Sequence, residues 1–334
     1  MKSVHLIIPE LFLPKDIAAQ VSADLAFPAL AKLLARGVSA KIEKRVTLER
    51  KLGELFSLCD SVGAPIASIG AAYDGLPLGN WLRADPVNLR LQRDQLLLSV
   101  VLPRAEESLQ LCASLNEYFS GQGIMFFAPH PQRWYMRLDS APNIRTVPLP
   151  ELLGCNIRGD LPKGVDAAYW HKVFNEIQML LYAHPVNDAR EARGEPTINS
   201  VWLWGEGVSV EPLRTDFQNV SADDELVAMF SAAAGIPFAP WSSSWCGSGD
   251  KQLLVWTGLR SAIQRGDLAA WRGALQEFEM GYAQPLWWAL KNGELAQIRI
   301  DVLAGINSSR FDLTRAATWK FWRRNTPLAQ YSIV

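Results

Sequence analysis

The feature that most restricts this chain is the contrast between two kinds of apolar pattern. VHLIIPELFL at 4–13 and VWLW at 201–204 are apolar runs with little or no polar face. Strands of that kind must be covered on both sides, as in a parallel or mixed sheet lying between helices. VNLRLQRDQLLLSVV and IMFFAPHPQRWYMRL alternate instead, as strands with one solvated face do. After the first run comes LAFPALAKLLARG, an amphipathic helix with Pro28 near its start and Gly37 as its stop. The combination predicts an α/β class protein whose core is interrupted by a smaller α+β module.

The change of periodicity places the core at residues 1–78 and 150–334 and the module at 81–148. Residues 64–80, APIASIGAAYDGLPLGN, read as loops around one short strand because Gly70, Gly75, Pro77 and Gly79 punctuate them. In the module, AEESLQLCASLNEYFSGQG is a helix between alternating strands. Beyond Pro148, YWHKVFNEIQMLLYA sets Trp170, Val173, Phe174, Ile177, Leu180 and Leu181 on one helical face. Helix signals return after residue 258, and AQIRIDVLAGINSSRFDLT then reads as an edge hairpin.

Of 334 residues, 33 are Lys or Arg and 34 are Asp or Glu, so the whole molecule has no field to steer it onto nucleic acid or an anionic membrane. Neither partner is expected. MKSVHLIIPELFLP resembles neither a signal peptide nor a membrane span, which predicts a cytoplasmic protein. Cys59, Cys112, Cys155 and Cys246 stand far apart without CxxC spacing, and are expected to be reduced and mostly buried. The 13 tryptophans are expected mainly in the core, although WSSSW and LWWAL offer rings for a ligand wall.

The stretch richest in chemistry is HPVNDAREARGEPTINSVWLWGEG, residues 184–207. Asn187 can cap a short turn, DAREAR, that stops at Gly194, with Arg190 and Arg193 on one face. SVWLW reads as a buried strand whose end opens into the Gly205–Gly207 loop, where α/β sheets place ligands. His184, Asn187, Arg190, Arg193, Asn199 and Trp204 therefore form a candidate site for a small phosphate or carboxylate, with the arginines supplying bidentate hydrogen bonds. The alternative is structural: a cap, ion pairs and a hydrogen-bonded imidazole.

The order of FPALAKLLARG, WLRADPVNL, HPVNDAREARG, INSVWLWGEG and ELVAMFSAAAGIP resembles the archaeal-type cofactor-independent phosphoglycerate mutases of the alkaline phosphatase superfamily. In layout the chain also resembles the RpfE-type regulatory proteins of proteobacteria. The resemblance implies an alkaline-phosphatase-like central sheet flanked by helices. For the mutases it also implies two metals held by Asp and His, and a Ser or Thr nucleophile. Much of that set is missing. Ile8, Pro9 and Glu10 stand where the family has DGxxD, and Ala31 where TPNLD has its Asp. All four histidines lie at or before His184. Asp216, Asp223, Asp224, Asp250 and Asp267 cannot replace the lost ligands without a nitrogen donor, although an oxygen-only magnesium or manganese site stays open. Thr47, Ser57 and Ser61 have no neighbouring base, while Arg83, Arg90 and Arg93 read as a solvated sheet face. The expectation is thus no catalytic residue, metal or cofactor, and a regulatory protein binding a small phosphorylated or carboxylate ligand or a protein partner. A divergent mutase or phosphatase with a relocated metal set is the alternative.

Overall fold

The computed structural model describes residues 2–22, 27–42, 46–58, 65–153, 155–207, 213–247, 249–305 and 307–331. The first strands are β1 (Ser3–Pro9), β2 (Val38–Lys41), β3 (Asn80–Gln92), β4 (Gln95–Val100), β5 (Ile124–His130), β6 (Arg133–Leu138) and β7 (Ile144–Arg145). They are followed by β8 (Lys163–Gly164), β9 (Ser200–Gly207), β10 (Asn219–Ala222), β11 (Phe238–Pro240), β12 (Lys251–Val255), β13 (Gln297–Leu303) and β14 (Ser309–Thr314). Among the helices are α1 (Lys15–Ser22), α2 (Pro28–Arg36), α3 (Leu48–Leu55), α4 (Ile66–Tyr73), α5 (Ala105–Tyr118) and α6 (Ala167–Tyr182). The remainder are α7 (Pro185–Ala192), α8 (Glu225–Ala233), α9 (Arg260–Gln264), α10 (Leu268–Phe278) and α11 (Gln284–Asn292).

The chain divides into two compact units, one of Met1–Ser57 with Arg214–Val334 and one of Leu58–Leu213. The first holds a seven-stranded sheet in the order β11-β10-β12-β1-β13-β14-β2. β1 runs parallel to both β12 and β13, and β10 is parallel to β12. Its Leu6, Ile7 and Ile8 are fully buried, as a strand covered on both faces requires. Leu30, Leu33 and Leu34 of α2 share a core with Leu286 and Leu290 of α11 and with Ile298 and Ile300 of β13. The expected hairpin is present as β13 and β14, but it is not an edge: β1 flanks β13, and β2 covers β14. VSAK is too short and exposed to announce itself as that outer strand.

The start of α2 shows how distant segments finish local structure. Pro28 opens it, but Phe27 offers no capping side chain. Instead the buried Glu279 carboxylate accepts from Ala29 N at 2.8 Å and Leu30 N at 2.9 Å. Glu279 begins a π-helical turn, Glu279–Ala283, between α10 and α11. Within it Gly281 is required by close approach, since a Cβ there would collide with the Ser243 carbonyl.

In the second unit β3 is long enough to pair with β4 through 87–92, with β6 through 80–83, and with β9 on its other edge. Pro86 is tolerated inside it because neither β4 nor β6 pairs at that position, which leaves a gap for a residue without an N–H. α6 buries Trp170, Val173, Phe174, Ile177 and Leu181 on the expected face, with Leu180 partly buried.

Several expectations need correction. VNLRLQRDQLLLSVV is the end of β3 and all of β4, turned at Arg93 with φ 54°, and IMFFAPHPQRWYMRL is likewise a hairpin, β5 and β6. Residues 66–73 are the helix α4, whose small apolar residues carry no polar stripe to mark it. The module's sheet is separate from the seven-stranded one, but the unit boundaries fall at 57/58 and 213/214 rather than near 78 and 150. The reason is that β9 pairs with β3 and α6 packs on β9. Cys112 is buried, which pushes its thiol up to about 12. Cys155 and Cys246 are exposed, contrary to expectation, and Cys59 lies outside the described residues.

Candidate functional site

The six residues singled out in 184–207 all lie in the second unit. His184, not Asn187, caps α7, with its Nδ1 accepting from Val186 N at 3.2 Å. Its Nε2 lies 3.0 Å from Ser114 Oγ, and burial lowers its pKa. Asn187 is 3% exposed, donates to the Leu181 and Ile198 carbonyls, and accepts from Ile198 N. Arg190 is 2% exposed, with Nε on Pro196 O at 2.7 Å and Nη1 on Glu107 Oε2 at 2.5 Å. Arg193 donates to the other oxygen of Glu107 and to Glu195. Asn199 pairs with the backbone of Leu89, and Trp204 Nε1 donates to Asp85 at 2.7 Å.

Thus His184, Asn187, Arg190 and Arg193 do gather, but not beside Gly205–Gly207. Asn187 grips Ile198 at the start of β9, whereas Gly205, Glu206 and Gly207 are its far end and belong to the strand. DAREAR is a helix rather than a turn, which aims Arg190 inward onto the acidic first turn of α5. Arg83 is likewise not on a solvated face: it is buried, salt-bridged to Asp85 at 2.6 Å, and lies over the rings of Tyr135 and Trp204.

A different constellation stands in the first unit, at the carboxyl ends of the parallel strands, where open α/β sheets bind ligands. Glu10 follows β1 with φ 60°, a left-handed conformation costly for a residue with a Cβ. Asp223 and Asp224 follow β10, and Arg260 opens α9 after β12. Glu49, 3% exposed, sits in the first turn of α3 behind the Thr47 cap. Asp223 accepts from Thr257 N and Asp224 from Leu226 N. Arg260 Nε lies 3.7 Å from Glu10 Oε1, an ion pair too long to be a hydrogen bond. Burial raises the pKa of Glu10, Glu49 and Asp224, and the charge of Arg260 opposes that rise in all three. Glu10 Oε2, Glu49 Oε2 and Arg260 Nε are buried atoms without a hydrogen bond among the described residues.

These residues do not fit a two-metal centre. The acids supply oxygen donors, but a guanidinium stands among them, and imidazole is absent from the described part of this edge. His5 lies within β1, its Nε2 2.9 Å from Asp301. No group of three or more His, Cys, Asp or Glu among the described residues is arranged to hold a metal ion. At the amino ends of the strands a cavity of about 480 Å³ is lined by His5, Arg214, Lys251 and Arg299. Lys251 pairs there with Asp216 and Arg299 with Asp312, so little net positive charge remains.

The whole chain superposes on the cofactor-independent phosphoglycerate mutase of Thermoplasma acidophilum with a TM-score of 0.52, 14% identity, and coverage of 99% of this chain and 95% of that one. A Pyrococcus horikoshii protein gives 0.55 at 12% identity, covering 98% and 92%. The fold is alkaline-phosphatase-like. A stretch of the chain is 29% identical over 108 residues to the 2,3-bisphosphoglycerate-independent phosphoglycerate mutase of Methanosarcina mazei. Another such mutase, from Methanothrix thermoacetophila, is 29% identical over 103 residues. The matched part is 31% of this chain and about a quarter of those relatives, 26% of each. No family model matches the chain.

Sequence reasoning named Glu10, Asp223 and Asp224 but missed Glu49 and Arg260. Neither carries a local signal: Glu49 reads as an ordinary first-turn acid and Arg260 as a helix-surface cation.

Proposed function

We propose that this phosphoglycerate-mutase-like chain keeps the fold without two-metal phosphoryl transfer. It acts instead as a regulatory protein that binds a small phosphorylated or carboxylate ligand or a protein partner. The observation that carries this reading is Arg260 among Glu10, Glu49 and Asp224. A guanidinium balances carboxylates as a cation does, but it cannot activate a bound water or bridge attacking and leaving oxygens as a metal can. Because its pair with Glu10 is long and its Nε makes no hydrogen bond, Arg260 keeps capacity for a ligand oxygen. Burial raises the pKa of Glu10 and Glu49 beside it, with the charge of Arg260 opposing the rise.

The test is turnover of 3-phosphoglycerate and of p-nitrophenyl phosphate with added magnesium, manganese or zinc, alongside elemental analysis of the purified protein. The expected result is no turnover above buffer and no stoichiometric metal. Turnover abolished by chelation would replace this reading with a divergent mutase or phosphatase using a relocated metal set.

A further inference from the structure

We infer that Trp319, Phe321 and Trp322, with Lys320, Arg323 and Arg324 among them, form a tip that docks the protein onto an anionic lipid bilayer surface. The three rings are 68%, 80% and 66% exposed, within four consecutive residues. Single exposed apolar side chains are ordinary, but three large aromatics within four residues, two of them in ring contact, make an apolar patch that asks for a partner.

Their exposure is built. Ala317 and Thr318 just before them are buried, Thr318 Oγ1 donates to Arg315 O, and Leu328 is buried beyond. Arg36 Nη1 donates to Thr318 O at 2.7 Å, and Arg323 Nη1 donates to Gly37 O at 3.0 Å. The segment is therefore tied to the end of α2 on both sides of the rings. Lys320 N, Phe321 N and Arg323 N donate to the Ala317, Trp319 and Lys320 carbonyls. Three backbone donors of the tip are thus bonded within it, which lowers the cost of entering a poorly hydrated interface.

Charge selects the occupant. No Asp or Glu follows Asp312, whereas Arg315, Lys320, Arg323 and Arg324 do. Asp312 itself pairs with Arg299 at 2.7 Å. Aromatic rings with basic neighbours suit the headgroup layer of an anionic membrane, where Trp is favoured and each nearby cation adds attraction. The chain's overall charge of −1 does not oppose this, because attraction at a surface is local within about 10 Å at ordinary salt. A second copy would bring like charges together. A stacked nucleic-acid base fits less well, since Phe321 and Trp322 meet edge to face at 79° and present no flat platform. No helix among the described residues is long and apolar enough to cross a membrane, so the contact is peripheral.

The full chain is co-sedimented with vesicles of phosphatidylcholine alone and of phosphatidylcholine with one quarter phosphatidylglycerol, while tryptophan emission is followed. Expected are binding to the anionic vesicles at least about tenfold stronger than to the neutral ones, weakening with salt, and a blue shift on binding. Phe321→Ser with Trp322→Ser should weaken binding by a further order of magnitude, roughly, and remove the blue shift. Lys320→Glu with Arg324→Glu should erase the preference for anionic lipid. These side chains are largely solvent-facing, so the melting point of each variant, measured in parallel, should match the parent. Absence of vesicle binding by the parent, equal binding to both vesicles, parental binding by either folded variant, or saturable binding to a single-stranded oligonucleotide or an acidic peptide in place of vesicles would each overturn the inference.

Discussion

Arg190 Nη1 lies 2.5 Å from Glu107 Oε2, and the arginine side chain is 2% exposed. Glu107 also accepts from Arg104 N at the start of α5 and from Arg193, so one carboxylate closes a helix and holds two arginines. Removing Arg190 leaves a largely buried acid without its best partner, which costs about 3 kcal/mol. Urea unfolding should show Arg190→Ala destabilised by that much, and Arg193→Ala less, since Arg193 is a third exposed and its loss leaves Glu107 still paired with Arg190. An Arg190→Ala protein with parental stability that no longer gains melting temperature from 3-phosphoglycerate would return these arginines to a ligand site.

Glu279 makes a comparable prediction for α2. Its carboxylate accepts from Ala29 N and Leu30 N, two donors that no neighbouring side chain caps. Charged capping bonds in a buried site contribute about 2–3 kcal/mol together with the helix dipole. Glu279→Ala should lose that amount in thermal or chemical unfolding, and Glu279→Gln, which keeps one acceptor oxygen, about half. Equal loss in both variants would mean that charge alone stabilises the turn.

The same carboxylate shows what a sequence displays and what it hides. β1, α2 and the buried face of α6 were legible because each is specified by its own residues: an apolar run, a proline start with a glycine stop, a 3.6-residue stripe. The partner of β9 was not legible, because a strand hydrophobic on both faces fits either sheet, and only its ladder with β3 decides. Glu279 caps a helix some 250 positions away, and Arg260 meets acids from the segments after β1 and β10 and from the first turn of α3. The 184–207 stretch shows the converse. Its His, Asn and Arg are dense because a buried helix start and strand start need many internal hydrogen bonds, and polar side chains making such bonds look in sequence like a binding site.

Acid stability should be governed largely by Asp301. Burial pushes its carboxyl up, but hydrogen bonds from His5 and Arg310 and the charge of Lys51 more than offset this and hold it well below the usual carboxylate range. A carboxyl depressed in the folded state stabilises at pH above its unfolded value, about 4, and that stability is lost as pH falls further. His5 has its pKa lowered, mainly by burial, so its neutral form is favoured and acidification below about 6.5 adds to the loss. Stability measured by denaturant unfolding should therefore fall from pH 7 toward pH 3. His5→Gln should remove the part of the slope that begins just below about pH 6.5 and leave the part below about 4 that Arg310 and Lys51 maintain through Asp301. A parental slope in His5→Gln would show that the imidazole does not titrate with folding.

The carboxyl-edge acids predict the opposite sign. Burial raises the pKa of Glu49, with Arg260 and hydrogen bonds only partly opposing it. A raised carboxyl binds more protons folded than unfolded, so between its ordinary and its raised pKa stability is lost as pH rises, and above the raised value the full penalty remains. Glu49→Gln removes that penalty while keeping the side chain's size. Its melting temperature should exceed the parent's by a few degrees at pH 8 and match it near pH 4, where the parental carboxyl is already protonated. Arg260→Gln takes away the charge that restrains Glu10, Glu49 and Asp224 together, so it should melt earlier than the parent at pH 8 and recover on acidification. The two substitutions share one electrostatic contact and should not be additive: Glu49→Gln should rescue part of the loss in the double variant. If Arg260→Gln instead melts like the parent at every pH, the guanidinium does not balance these acids, and the place assigned to it at the head of the sheet is wrong.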